Sequence, residues 1–177
     1  MEQTIKFYKS RNVKTPTRGT GEAAGIDFYI PFADEQFVKD IVAKNNTSSL
    51  PVLVQVIDNE LYITIMPNGR VLIPSGIHSW MSPNSALIAA NKSGVATKTG
   101  LVFGAQVVDS DYSGEIHISV INTSNVPVTV KGGEKLIQFI HTPVLLTPLE
   151  EVDKDAYNKL HHLSERGEGG FGSTGLE

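Results

Sequence analysis

Short runs of alternating apolar and polar residues, each closed by Gly, Pro, Asn or Asp, recur along most of the chain, and few folds accept that punctuation. Residues 4–8 alternate. Residues 52–57 and 61–65 flank Asp58-Asn59-Glu60 as a hairpin, and Pro67-Asn68-Gly69 marks a tight turn into Val71-Leu72-Ile73. Residues 115–122 place Ile116, Ile118 and Val120 on one face, and residues 126–130 and 135–140 flank Gly132-Gly133 as a second hairpin. Such a series predicts an all-β sandwich, jelly roll or related barrel rather than an α/β fold. One helix is predicted, within residues 34–44, where Phe37, Val38, Ile41 and Val42 fall at amphipathic spacing before Asn45-Asn46.

The 177 residues suit one domain with a sizeable core. A net charge of −4 without a basic cluster argues against a nucleic-acid polymer as partner, while leaving room for a phosphorylated small molecule. No apolar run approaches a membrane span, and the first residues have no basic region followed by an apolar stretch, so neither a membrane nor secretion is expected. The absence of cysteine excludes disulfides and thiolate metal sites and fits a reducing compartment.

Three stretches carry chemistry-bearing residues. In Asp109-Ser110-Asp111-Tyr112-Ser113-Gly114, Asp109 and Asp111 point the same way if the segment is a hairpin, although these residue types also make an ordinary turn. Asn91-Lys92-Ser93-Gly94 offers a cation, a hydroxyl and a pliant backbone to a phosphate, or is a polar loop without P-loop spacing. Residues 166–175 hold five glycines in ten, beside Arg166, Phe171, Ser173 and Thr174. Such a segment builds no core. It reads as a disordered terminus or as an arm that wraps an anion while Phe171 lands on a flat partner such as a base. His161-His162 are adjacent and belong to no metal-spaced set.

Taken in order, these pieces resemble the trimeric dUTPase family in all five of its motifs. The first is Ala24-Gly25-Ile26-Asp27, the second Lys92-Ser93-Gly94-Val95-Ala96, and the third Gln106-Val107-Val108-Asp109-Ser110-Asp111-Tyr112-Ser113-Gly114. Gly133-Glu134-Lys135-Leu136-Ile137-Gln138 matches the fourth, and Arg166-Gly167-Glu168-Gly169-Gly170-Phe171-Gly172-Ser173-Thr174-Gly175 the fifth. The resemblance implies a jelly-roll-like β-clip fold, a homotrimer with sites between subunits, and hydrolysis of dUTP to dUMP and pyrophosphate with Mg2+. It places the chain in the cytoplasm, or the host cytoplasm for a viral protein.

Residue roles follow from the same resemblance. Asp109 is the general base for a water attacking the α-phosphorus. Tyr112 packs against the deoxyribose, and the backbone at Gln106, Val107 and Val108 reads uracil. Lys92, Ser93, Gly94 and Gln138 bind the phosphates. Arg166, Gly172, Ser173 and Thr174 hold the outer phosphates while Phe171 caps the base, so that residues 164–177 act as an arm on a domain spanning 1–163. Magnesium is held mainly by the triphosphate and water, with Asp27 assisting indirectly and no direct protein ligand. Two departures stand out. Motif two begins with Lys92 rather than Arg, which keeps the charge and loses the bidentate fork. The excess length falls within residues 32–68, an insertion that is either surface decoration or a docking site for a protein partner. Competing readings are a regulator of the same fold that binds dUTP and a protein, and a dCTP deaminase.

Overall fold

The computed structural model describes residues 4–46 and 51–161. In chain order the first elements are β1 (Lys6–Lys9), β2 (Thr17–Arg18), β3 (Gly25–Tyr29), α1 (Glu35–Asn45), β4 (Val52–Ile57), β5 (Glu60–Ile65) and β6 (Arg70–Trp80). They are followed by β7 (Ser85–Asn91), α2 (Ser93–Thr99), β8 (Leu101–Phe103), β9 (Val107–Asp109), β10 (Ile116–Asn122), β11 (Val128–Lys131), β12 (Lys135–Pro143) and α3 (Lys154–His161). The strands form three antiparallel sheets, ordered β1-β6-β10-β8, β11-β5-β4 and β2-β3-β12-β7-β9. The all-β expectation holds.

Local chemistry explains the elements that position the rest. Asp58 and Asn59 both have positive φ, 52° and 65°, so β4 and β5 close through a two-residue turn whose twist suits the hairpin. Strand β10 alternates strictly, with Ile116, Ile118 and Val120 buried. Helix α1 starts where Asp34 accepts the Phe37 amide at 2.8 Å. The sequence predicts one helix, and the structure adds two. Helix α2 ends at Gly100, whose φ of 72° gives a left-handed cap and whose amide donates to the Ala96 carbonyl at 3.0 Å. Helix α3 belongs to a second compact unit, Leu146–Glu177, separate from the unit Met1–Leu145 that carries the sheets, and Asp153 caps it by accepting the Ala156 amide at 2.8 Å.

One expectation is corrected. The stretches around Gly132-Gly133 are not a hairpin: β11 pairs with β5, whereas β12 pairs with β3 and β7 in another sheet. The two glycines make a crossover, with the Gly132 amide donating to the Leu61 carbonyl at 3.0 Å and Gly133, at φ 80°, donating to Ile30 at 2.8 Å. The third motif is likewise no hairpin, because β9 and β10 lie in different sheets and the Tyr112 amide closes a turn onto the Asp109 carbonyl at 3.2 Å.

Residues 32–68 feed the core. Phe37, Ile41, Leu61, Ile63 and Ile65 are all buried in the cluster that also holds Phe28, Ile73, Ile118 and Phe139. Truncating one such side chain to alanine costs roughly 2–5 kcal/mol, a large share of the ~5–15 kcal/mol that holds a domain together. Helix α1 and the hairpin are therefore structural parts of this unit. Among the described residues no helix is long and apolar enough to cross a membrane.

Candidate functional site

Among the described residues strand β9 is the outermost strand of its sheet and pairs only with β7, through Ala86 opposite Asp109, Leu87 opposite Val108 and Ile88 opposite Val107. An edge strand leaves a row of backbone donors and acceptors open to a planar partner. Gln106, Val107, Val108, Asp109 and Tyr112 line one cleft of about 180 Å3, floored by Phe139. Asp109 is exposed at the strand's last position. The Tyr112 hydroxyl donates to the Glu115 carbonyl at 3.0 Å, and its ring folds across Gly114, where a Cβ would meet that hydroxyl at 2.4 Å. Glycine at 114 is thus a condition for the ring's position.

A second group forms around Asp27, which β3 buries to 2% exposure. Lys92 Nζ lies 2.5 Å from its Oδ1 and Lys135 Nζ 2.6 Å from its Oδ2. Gln138 stands opposite Asp27 in register and donates from Nε2 to the Asn91 carbonyl at 2.9 Å. A Cβ at Gly25 would come within 1.9 Å of Gln138 Oε1, so the glycine of the first motif makes room for that amide. Lys14, Lys92, Gly94, Lys98 and Lys135 line a cleft of about 620 Å3, and Ser93 is exposed at the start of α2. Against Glu134 in the same cleft and Asp27, which pairs with Lys92 and Lys135, the four ammonium groups still leave a positive surplus that suits an anion. The sequence assigns no role to Lys14, Lys98 or, within the fourth motif, Lys135, because a lone lysine on a strand or helix reads as a solvated side chain. Among the described residues the two clefts share no lining residue: Asp109 and Tyr112 line one, Lys92 and Gly94 the other. Arg166, Phe171, Gly172, Ser173 and Thr174 lie outside the described residues.

The chain matches the dUTPase family model over residues 56–175. It belongs to the dUTPase family. Relatives named deoxyuridine 5′-triphosphate nucleotidohydrolase include one from Actinobacillus pleuropneumoniae serotype 3, 38% identical over 121 residues, which are 67% of this chain and 76% of that protein. Another, from Candida albicans, is 28% identical over 174 residues, covering 98% of this chain and 89% of that one. Among solved structures, a mutant Staphylococcus bacteriophage 80alpha dUTPase with dUpNHpp superposes with a TM-score of 0.71 at 18% identity, covering 98% of this chain and 99% of that one. A phage phi11 dUTPase mutant, described with a structural Mg(II) ion, gives 0.61 at 17% identity over 85% and 97% of the two chains. These structures share the fold of a dUTPase.

Burial alone would raise the Asp27 carboxyl, but the hydrogen bonds from Lys135 and Lys92 together outweigh it and hold the group below its ordinary 3.8. Glu115 is governed the same way: burial raises it, while Arg11 and the Gly76 amide pull it below 4.5. Burial also holds the His117 imidazole below 6.5. Groups whose folded pKa is depressed add stability above their unfolded value and lose it as pH falls through the folded one. Melting temperature should therefore begin to fall below pH 6.5 as His117 resists its proton, and fall further below pH 4.5 as Glu115 and Asp27 protonate. Thermal melts from pH 7 to pH 3 check this. A flat profile through the acid range would show that these carboxylates are not held as the geometry places them.

Proposed function

We propose that this chain is a dUTP pyrophosphatase, which hydrolyses dUTP to dUMP and pyrophosphate as a homotrimer. Family membership carries the activity. The assembly is the one the family resemblance implies, and it is supported by the two clefts having no lining residue in common, since a nucleoside triphosphate needs the Asp109–Tyr112 wall and the lysine cleft at once. A cyclic arrangement in which one copy supplies the nucleoside wall and another the phosphate cleft meets that need.

Uracil sits against the open edge of β9, where fixed backbone donors and acceptors match its carbonyl and N3–H pattern and leave cytosine mispaired. The Tyr112 ring abuts the sugar and leaves no room for a 2′-hydroxyl. Asp109 takes the proton from a water that attacks the α-phosphorus in line, and pyrophosphate leaves. Lys92, Lys135, Ser93, Gly94 and Gln138 receive the phosphates. Asp27 orients Lys92 and Lys135 and balances their charge. Residues 164–177 close over the nucleotide: Arg166, Gly172, Ser173 and Thr174 hold the outer phosphates and Phe171 caps the base.

Both Asp27 oxygens accept from lysines, and among the described residues no three carboxylate or imidazole groups converge. With the Asp27 carboxylate engaged by two lysines, magnesium is assigned in this reading to the triphosphate and its waters. When bound, Mg2+ neutralises developing charge on the phosphate oxygens.

Incubation with magnesium and each nucleoside triphosphate, assaying pyrophosphate and ammonia, tests the reading. Pyrophosphate from dUTP alone is expected, and ammonia from dCTP would replace hydrolysis with deamination. Lys92→Arg should retain dUTP turnover within a fewfold, since a guanidinium can also pair with Asp27. Abolished turnover in that variant, measured beside wild type, would show a site rebuilt around lysine.

A further inference from the structure

The nucleoside cleft has a support outside its own wall. Tyr112 is 45% exposed, so packing alone does not fix its ring. What the structure gives the ring is the bond from its hydroxyl to the Glu115 carbonyl at 3.0 Å and the bare backbone of Gly114 beneath it. Residue 115 is in turn held hard. Its carboxylate accepts from Arg11 twice, at 2.7 Å from Nε and 2.9 Å from Nη2, and from the Gly76 amide at 2.6 Å. Each side chain of that pair is 15% exposed, so this is a forked, poorly solvated interaction rather than a screened surface contact.

The backbone is shaped to allow it. Register slips between Ile116 and His117, which face Ile77 and Pro74, so Ser75 and Gly76 bulge from β6. Gly76 has φ 73°, and a Cβ there would lie 2.9 Å from the Arg11 Cβ. Bulge and glycine together let Arg11 pass and aim the Gly76 amide at Glu115. Arg11 then continues outward. Its Nη2 lies 2.7 Å from Asp40 of α1, and its guanidinium stacks 5.2 Å from the Phe37 ring of the same helix.

We propose that Arg11 and Glu115 are positioning residues of the nucleoside cleft and that helix α1 braces them, so that the chain from Asp40 through Arg11 to Glu115 sets where the Tyr112 ring stands. Neither residue touches the reacting atoms. Their effect falls on sugar selection, because the ring they hold is the wall against a 2′-hydroxyl. The inference rests on the dUTP reading above and adds that α1, from the stretch of excess length, has a hand in specificity.

Arg11→Met, Glu115→Gln, Asp40→Asn and Tyr112→Phe test it, with kcat and KM measured for dUTP and UTP well below each variant's melting temperature. Turnover of dUTP by the unaltered chain is read first and tests the hydrolase reading alone. The ratio of kcat/KM for dUTP over UTP should fall about tenfold in Arg11→Met and Glu115→Gln, chiefly through a lower KM for UTP, and roughly twofold in Asp40→Asn. Tyr112→Phe should show the same fall, and joining it to Glu115→Gln should add nothing, because both cut one connection. Variants that melt earlier yet keep wild-type selectivity, or a double variant whose loss is the product of the two singles, would overturn the proposal. Should the buried pair fail to fold when altered, Asp40, 28% exposed on its helix, still decides: an unchanged ratio in Asp40→Asn refutes the brace.

Discussion

Asp109→Asn should lower kcat for dUTP by about a thousandfold while leaving affinity for the nucleotide near wild type. The substitution keeps size and shape, so the turn closed by the Tyr112 amide and the pairing of residue 109 with Ala86 persist. What it removes is the carboxylate that ends β9, a group that can take a proton from water. An amide orients a water but does not accept its proton, and the attacking oxygen then remains a poor nucleophile. Binding is expected to survive because in the proposed reading uracil falls to the backbone and the phosphates to the lysine cleft, neither of which involves this side chain. Pyrophosphate release gives the turnover, and calorimetry with a non-hydrolysable dUTP analogue gives the affinity. If kcat stays within a fewfold of wild type, Asp109 is not the base. If affinity collapses together with kcat, Asp109 holds substrate rather than activating water.

Where sequence and structure agree, the deciding interactions lie within a few residues. The β4–β5 turn needs only Asp58 and Asn59, which tolerate positive φ, and α1 needs only Asp34 to cap the Phe37 amide. Strand β10 announces itself by the alternation of Ile116, Ile118 and Val120. The misread stretch around Gly132-Gly133 shows the limit. Its turn is real, with the Glu134 amide donating to the Lys131 carbonyl at 3.2 Å, but which strand each arm joins is settled by β5 and β3, which lie far back in the sequence. Periodicity carries no record of that choice.

The candidate site divides along the same line. Gln106, Val107, Val108, Asp109 and Tyr112 are close in sequence and share one cleft. Lys135 stayed hidden because its meaning depends on Asp27, 108 positions earlier, and Arg11 because its partner Glu115 is 104 positions later. A lysine or arginine in isolation reads as solvated surface; a buried carboxylate brought to it by the sheet changes that. Residues 32–68 raise the same point. Their length marks them as additional, but only the packing of Phe37, Ile41 and Leu61 shows that the unit is built around them.

Removing residues 166–177 should lower kcat/KM for dUTP by a hundredfold or more, on the order of 3 kcal/mol of transition-state stabilisation, with little change in melting temperature. The two halves of this expectation have separate grounds. Among the described residues the hydrophobic cluster runs from Val13 to Phe139 and is assembled by the sheets and α1. The deleted sequence, with five glycines in twelve positions, has only Phe171 and Leu176 as large apolar side chains. Its value in the proposed reading is chemical: Arg166 would bring charge to the outer phosphates, successive backbone amides between the glycines can wrap an anion, and Phe171 would give the base an aromatic cover. Closing over the nucleotide also expels water, so the fixed charges around it act more strongly. Phe171→Ala in the full chain should reproduce part of the loss, about tenfold, if base capping and phosphate binding are separable duties of the segment. Full activity in the truncated chain would leave the lysine cleft and the β9 edge sufficient by themselves. A melting temperature that drops together with activity would instead make the segment part of the assembly's stability.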